Sequence, residues 1–304
     1  MYHIPDQSGR RFVITGANSG TGKEATRRLA EAGAEIIMAV RNLTFGEIAK
    51  EDILRQFPRA KLEVRHIDLA DLKTVESFSE NLKSDGRGLD VLINNAAVMS
   101  PPKRYTTKDN FELQFGTNYL GPFALTNHLV PLLLKSSKSP RVTTMASCAA
   151  IIGFLLGMSD LQSEKLYLPF LAYARSKLAD LHMANQLAKI SAEKGWNLLS
   201  NAAHPGCTRT RLMITGPNMG TNKTTPSWVF KFIPAMNPDK GALPLIQAAT
   251  DPNARPGSYY GPRWLLIGKN GRVKKPESYR WTDGEKLWKK AEKLTGVSFA
   301  DELL

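Results

Sequence analysis

The chain has 304 residues, with 41 Lys+Arg against 28 Asp+Glu, a formal net charge of +13 and a pI near 9.7. Hydrophobic residues at 42% and charged residues at 23% are globular values and exclude a disordered tail, a collagen-like chain and a coiled coil. The basic excess admits nucleic acid, an anionic surface or an anionic small molecule as partner.

Cys148 and Cys207 are too few for a disulfide scaffold or a four-ligand zinc site and read as reduced thiols, so a cytoplasmic protein is expected. The start, MYHIPDQSGRRFVITG, has no apolar leader core. No apolar run reaches the ~20 residues of a spanning helix.

Arg10–Thr15 is a short apolar run before a glycine and reads as a buried strand. Gly16–Gly22 is a turn. Lys23–Ala32 has helical spacing (Ala25, Leu29, Ala32) and stops at Gly33, a helix-ending residue. Ala34–Val40 is a strand, Thr44–Gln56 a helix stopped before Pro58, Leu62–Ile67 a strand and Leu72–Leu82 a helix. Leu89–Asn94 is the fourth strand. Phe111–Leu134 is one long helical pattern with Gly121-Pro122 near its middle. Arg141–Ser147 is the fifth strand, Phe170–Lys194 a long helix and Asn197–Ala203 the sixth strand. This alternation predicts an α/β fold, a parallel sheet with helices on both faces. No linker separates two cores, so residues 1–304 are expected to form a single domain. The Thr-, Pro-, Asn- and Gly-rich stretch from about 207 to 238 predicts a substrate lid loop. A basic C-terminal extension spans about 255–304.

The first turn reads Thr15-Gly16-Ala17-Asn18-Ser19-Gly20-Thr21-Gly22 between a strand and a helix. Glycines there let the backbone approach a phosphate, and the helix start offers free N–H groups and a positive dipole end. A dinucleotide pyrophosphate fits. A Walker A loop does not, because Thr21 stands where its second glycine is needed and Lys23 is followed by Glu24. Alone, three glycines are also an ordinary turn.

TGANSGTG resembles the TGxxxGxG turn of the short-chain dehydrogenase/reductase family, and further motifs of that family follow in order. Asn94-Asn95-Ala96-Ala97 stands for NNAG. Asn118 lies in GTNYLGPF, similar to the helix with the family's catalytic asparagine. Ser147 ends the fifth strand, Tyr173-Ala-Arg-Ser-Lys177 matches YxxxK, and Pro205-Gly206 follows the sixth strand. The resemblance covers about residues 8 to 250 and implies a doubly wound Rossmann fold with the cofactor at the carboxyl ends of the strands.

An acid near the end of the second strand binds the ribose 2′-OH of NAD. Here the strand ends Ala39-Val40-Arg41-Asn42, and Arg41, a fork that suits a 2′-phosphate, predicts NADP(H). Arg41 as a mere solvated charge is the plainer alternative. The resemblance implies that Gly16, Asn18, Ser19, Gly20, Thr21 and Gly22 line the pyrophosphate, with Arg41 and Asn42 at the 2′-phosphate. It puts Asp68 and Leu69 at the adenine, and Asn95 and Ala96 on the ribose side. Pro205, Gly206, Thr208 and Thr210 would approach the nicotinamide.

Tyr173 and Lys177 are four apart and share a helix face. A phenol with pKa ~10 is a poor acid–base group at neutral pH, and an adjacent ammonium brings it towards the working range. The chemistry implied is hydride transfer between NADP(H) and a carbonyl or alcohol carbon. Tyr173 is the acid/base, Ser147 orients the carbonyl, and Lys177 tunes Tyr173 and holds the nicotinamide ribose. Asn118 positions a water that relays protons to Lys177. Tyr-x3-Lys alone is more often a surface pair; its place after Ser147 reverses that. A C=C reductase of the protochlorophyllide-reductase type and a non-catalytic NADP(H)-binding regulator are the alternatives.

Two departures stand out. Ala97 replaces the last glycine of NNAG, a mild change. Ser147 and Tyr173 are 26 residues apart, about twice the usual family gap. The insert, Ile152 to Phe170, resembles that of the retinol-dehydrogenase-like and protochlorophyllide-reductase-like branch, as do Thr250-Asp251-Pro252 and Tyr259-Tyr260-Gly261-Pro262. Ile151, Ile152, Phe154, Leu155, Leu156 and Met158, with Met213, Met219, Trp228, Phe230 and Phe232 of the lid, suit an apolar substrate; packing of loops on the core, or a subunit contact, explains them equally. Family members form dimers or tetramers through the long helices, so a homodimer or homotetramer is admitted by analogy.

None of the five histidines builds a metal site, and no nucleic-acid motif accompanies the charge. Cys148 reads as an inert thiol. Eleven Lys/Arg against four Asp/Glu lie between Arg255 and Lys293, where Glu285–Leu294 reads as a helix with a solvated lysine face.

Overall fold

Strands that are buried on both sides need a helical layer on each face, and the central strands here are of that kind. In the computed structural model, which describes residues 2–156, 158–210, 212–220, 235–274 and 281–299, they are β1 (Arg11–Thr15), β2 (Glu35–Val40), β4 (Val91–Asn94) and β5 (Arg141–Met145). With β3 (Lys61–His66), β6 (Leu199–Ala203), β7 (Tyr259–Pro262) and β8 (Asn270–Arg272) they form one eight-stranded sheet in the order β3-β2-β1-β4-β5-β6-β7-β8. All neighbours are parallel except the β7–β8 pair at the edge.

Period-two alternation sorts the side chains between two cores. Phe12, Ile14, Ile36 and Met38 pack with α1 (Gly20–Glu31), α2 (Leu43–Gln56) and α10 (Leu243–Thr250). Val13, Ile37 and Leu92 pack on the other face with α3 (Leu72–Ser84), α5 (Gly121–Leu134) and α7 (Pro169–Glu193). Asn42 caps α2, its Oδ1 accepting from Phe45 N at 3.0 Å, and Asp71 caps α3. The doubly wound fold is therefore as expected.

The single helix expected over Phe111–Leu134 is instead three pieces. A short α4 (Leu113–Phe115), capped by the buried Glu112 carboxylate, leads into a π-helical turn, Gly116–Leu120, and then α5. Gly121 lets α5 press against β3's exit, since a Cβ there would run into the Leu69 carbonyl. The interval from 207 to 238 is not all loop. It holds α8 (Leu212–Thr215) and ends at α9 (Pro238–Gly241), while Trp228, Phe230 and Phe232 lie outside the described residues. Between β5 and α7 stands α6 (Ala150–Leu156).

The basic extension is also part of the body. β7 and β8 complete the sheet, and α11 (Trp281–Thr295) lies on α7 and α5. Lys286, Lys289, Lys290 and Lys293 are exposed while Leu287, Trp288 and Ala291 are buried, so one face meets water and the other the core. The Trp288 ring meets Phe123 edge-on at 4.8 Å, and Phe299 packs on both Trp288 and Trp196. Trp288→Ala removes the centre of this contact and is expected to lower stability by about 3–5 kcal/mol, read as a fall in the denaturant midpoint.

Candidate active site

The carboxyl ends of β1 and β4 are tied together. Thr15 Oγ1 accepts from the Asn95 and Ala96 amides at 2.9 and 3.0 Å. The Asn95 side chain donates to Thr15 O at 2.9 Å and accepts from Thr21 Oγ1 at 2.9 Å. Asn95 thus clamps the glycine turn against the sheet. Gly16 (φ +65°) and Gly20 (φ +54°) adopt the left-handed region. A Cβ on Gly22 would collide with the Gly16 carbonyl and the Asn95 amide. α1 starts just after Ser19, whose side chain makes no capping bond to the first turn.

Other expected cofactor residues lie on the same carboxyl edge. Arg41 is exposed at the end of β2, with no ion pair among the described residues. Asn42 spends its side chain on the α2 cap. Asp68 turns its own loop, Oδ1 accepting from Ala70 N at 3.0 Å, and Leu69 is buried beneath α5. Gly206 (φ +63°) sits where any Cβ would hit the Leu266 carbonyl. Thr208 Oγ1 donates to Pro205 O at 2.7 Å. Thr210 methyl and Cβ atoms face Gly20, closing the turn from the β6 side.

The expected catalytic residues form a buried cluster. Ser147 stands just past β5, near the Tyr173 phenol. Burial pushes that phenol above its ordinary range; Lys177 and Ser147 pull the other way. Lys177 therefore acts in the expected sense, but burial outweighs it. The Lys177 ammonium lies 6.0 Å from the Tyr173 ring centre and donates to Met145 O at 2.9 Å and Asp180 Oδ2 at 2.7 Å. Asp180, absent from the sequence expectations, is buried, and burial pushes its carboxyl up to about 7 against the pull of Lys177.

Asn118 lies in the π turn, where such turns frequently mark functional sites. Its amide accepts from Val98 N at 2.8 Å and donates to Val98 O and Ser176 Oγ, each at 2.9 Å. Ser176 in turn donates to Tyr173 O at 2.8 Å. The side chain is thus fully engaged with the β4 exit and with α7.

The long insert is pinned over this cluster. Arg104 donates to Gln162 O, Gln162 Oε1 accepts from Glu112 N, and Tyr167 donates to Pro101 O. Gly153 of α6 meets the Ala174 carbonyl closely enough to exclude a Cβ. Leu155 is 73% exposed, and Leu166, Leu168 and Phe170 are exposed as well. Trp264, 74% exposed, stands on the turn whose Leu266 carbonyl accepts from Cys207 N. Cys148 is a free thiol raised by burial. Among the described residues no helix is long and apolar enough to cross a membrane.

Comparison with known proteins gives the family. The short chain dehydrogenase family model matches residues 10–218. Human retinol dehydrogenase 13 is 32% identical over 293 residues, 95% of this chain and 85% of that protein. Mouse polyprenol dehydrogenase is 33% identical over 98% of this chain and 87% of its own. Mouse retinol dehydrogenase 12 is 41% identical over 65% of this chain, and the match spans 61% of that protein. Among solved structures, an uncharacterized protein from Mycobacterium paratuberculosis has a TM-score of 0.78 at 34% identity, covering 98% of this chain and 97% of that one. The NADP active-site complex of Pseudomonas aeruginosa RhlG shares the fold at TM-score 0.64 and 20% identity, covering 86% of this chain and 97% of that one. The chain belongs to the short chain dehydrogenase family, in its retinol-dehydrogenase-like branch.

Proposed function

We propose that this single-domain protein is an NADP(H)-dependent oxidoreductase that interconverts an apolar alcohol and its aldehyde or ketone. The observation that carries the reading is the buried Ser147–Tyr173–Lys177 cluster on the carboxyl edge of the sheet that also carries the glycine turn. The turn fits a pyrophosphate: Gly22 tolerates no Cβ, and the α1 amides beyond Ser19 have no side-chain cap, which leaves a helix N-terminus suited to an anion. Gly16, Asn18, Ser19, Gly20, Thr21 and Gly22 would hold that group. Asn95 and Ala96 would flank the ribose, and Pro205, Gly206, Thr208 and Thr210 the nicotinamide end. Arg41 supports NADP over NAD, because no acid follows β2 before Glu47 and the guanidinium carries no ion pair among the described residues.

A bound nicotinamide dinucleotide supplies the hydride for reduction or takes it up in oxidation. The chain's own residues handle the oxygen and its proton. Ser147 donates a hydrogen bond to the substrate oxygen and fixes its place beside Tyr173. Tyr173 gives its proton to that oxygen as the carbonyl becomes an alcohol, and takes it back in the reverse direction. The Lys177 ammonium stabilises the phenolate left behind. Asn118 contributes by locking Val98 and Ser176, which holds α7 and hence Tyr173 and Lys177 in register with the strand ends. Ser147, placed near the Tyr173 phenol, favours carbonyl chemistry over C=C reduction. The exposed Leu155, Leu166, Leu168 and Phe170 support an apolar substrate, as do relatives named for retinol and polyprenol.

Mixing the purified protein with NADPH or NADH and a panel of ketones and aldehydes, and following reduced-cofactor absorbance, tests the activity. Tyr173→Phe is expected to lower turnover by about 10²–10⁴-fold with NADPH affinity unchanged; a Phe variant of normal rate would sink the mechanism. Arg41→Ala is expected to weaken NADPH about tenfold or more and leave NADH unaffected. Equal affinity of the unsubstituted chain for the two cofactors overturns the NADP assignment.

A further inference from the structure

The polar cluster contains one charged group to which the reaction above gives no task. Asp180 follows Lys177 by three positions on α7, so the two share a helix face. Their side chains are 1% and 3% exposed, and Lys177 Nζ donates to Asp180 Oδ2 at 2.7 Å. Asp180 Oδ1 is sealed from water with no hydrogen-bond partner. A carboxylate in that position is expensive unless its partner is charged. The ammonium meanwhile has three N–H donors. Two are directed at Met145 O and Asp180 Oδ2.

We propose that Asp180 is a positioning residue for the Tyr173–Lys177 pair, aiming the ammonium and offsetting its charge so that Lys177 pulls less strongly on the Tyr173 phenol. The inference rests on Tyr173 being the acid/base of the reaction.

The charged and titratable groups around the pair are few. Burial acts most strongly on Tyr173 and pushes its phenol up; Lys177 of α7 and Ser147 from the segment after β5 pull it down, and Cys148 and then Asp180 push it up. On Asp180, burial pushes the carboxyl up and Lys177 pulls it down. Of the charges on α11, Asp283 acts on His182, and Glu285 pairs with Lys189. The Asp180 carboxyl titrates near 7, below the range of the phenol, so it is ionised whenever the phenol loses its proton. Its charge is then fully present to oppose phenolate, and the sign follows: removing it moves phenol ionisation to lower pH.

Asp180→Asn keeps an oxygen for Lys177 and removes the charge, whereas Asp180→Glu keeps the charge. The pH profile of kcat/KM for alcohol oxidation with NADP is measured on both. For Asp180→Asn the acid limb is expected to move down by about one pH unit, or about tenfold more activity at a fixed pH on that limb; for Asp180→Glu it stays near its original place. A limb in Asp180→Asn that coincides with the unsubstituted one, or lies above it, overturns the inference.

A second readout needs no turnover. The ultraviolet titration of the chain, minus that of Tyr173→Phe, isolates the Tyr173 phenolate band. In Asp180→Asn, with Asp180→Asn/Tyr173→Phe as its blank, that band is expected at a pH about one unit lower than in the unsubstituted protein; a band that does not move down overturns the inference. A protein that reduces no carbonyl with either cofactor undoes the oxidoreductase reading, and the titration then decides the role of Asp180 on its own.

Discussion

Everything polar that matters in this molecule is governed by the burial of its parallel sheet on both faces. β1, β2, β4 and β5 have no wet side, so their backbone groups are satisfied within the sheet and charge is confined to the strand ends. At the carboxyl ends the chain must turn, and there it meets the uncapped start of α1. The Thr15–Asn95 clamp follows from this geometry. Two neighbouring strands end together, and one hydroxyl and one amide satisfy the N–H and C=O groups that the sheet has just released.

The same confinement shapes α7. A helix buried nearly all round is usually apolar, yet this one buries Arg175, Ser176, Lys177, Asp180, His182, Asn185 and Gln186. Each such group costs free energy unless it is paired. Ser176 links Asn118 to the Tyr173 carbonyl, and Lys177 links Met145 to Asp180. The network ties the π turn, β5 and α7 into one unit. On the proposed mechanism, a rigid α7 keeps the Tyr173 phenol within reach of a substrate oxygen.

The strands and helices of the first two-thirds were legible because period-two and period-3.6 patterns record which face is covered. Three features left no such record. The π turn lies inside a run that is buried at every position, so its bonding shift changes no exposure pattern. β7 and β8 are short, and Gly261-Pro262 and Gly271 hide them among turn residues; their place comes from edge pairing with β6. The basic stretch around Lys286–Lys293 showed its solvated side, but its contribution to the core rests on Trp288 and Phe299 meeting Phe123 and Trp196, residues distant in sequence. The catalytic-type residues Ser147, Tyr173 and Lys177 could be named from order and spacing. The net push of burial on Tyr173, and Asp180 beside Lys177, appear only once the helix is surrounded.

A buried ion pair is a poor investment in stability, since desolvation of both charges offsets most of their attraction. On the proposed mechanism Lys177 cannot be relieved of its charge, so the cost is fixed by the chemistry and not by the fold. Asp180 answers that cost inside the protein: it is the anion that the ammonium meets, beside Met145 O. The same 2.7 Å contact that makes Lys177 tolerable in the core fixes where its ammonium points, while burial, the larger influence, holds the neighbouring Tyr173 phenol up.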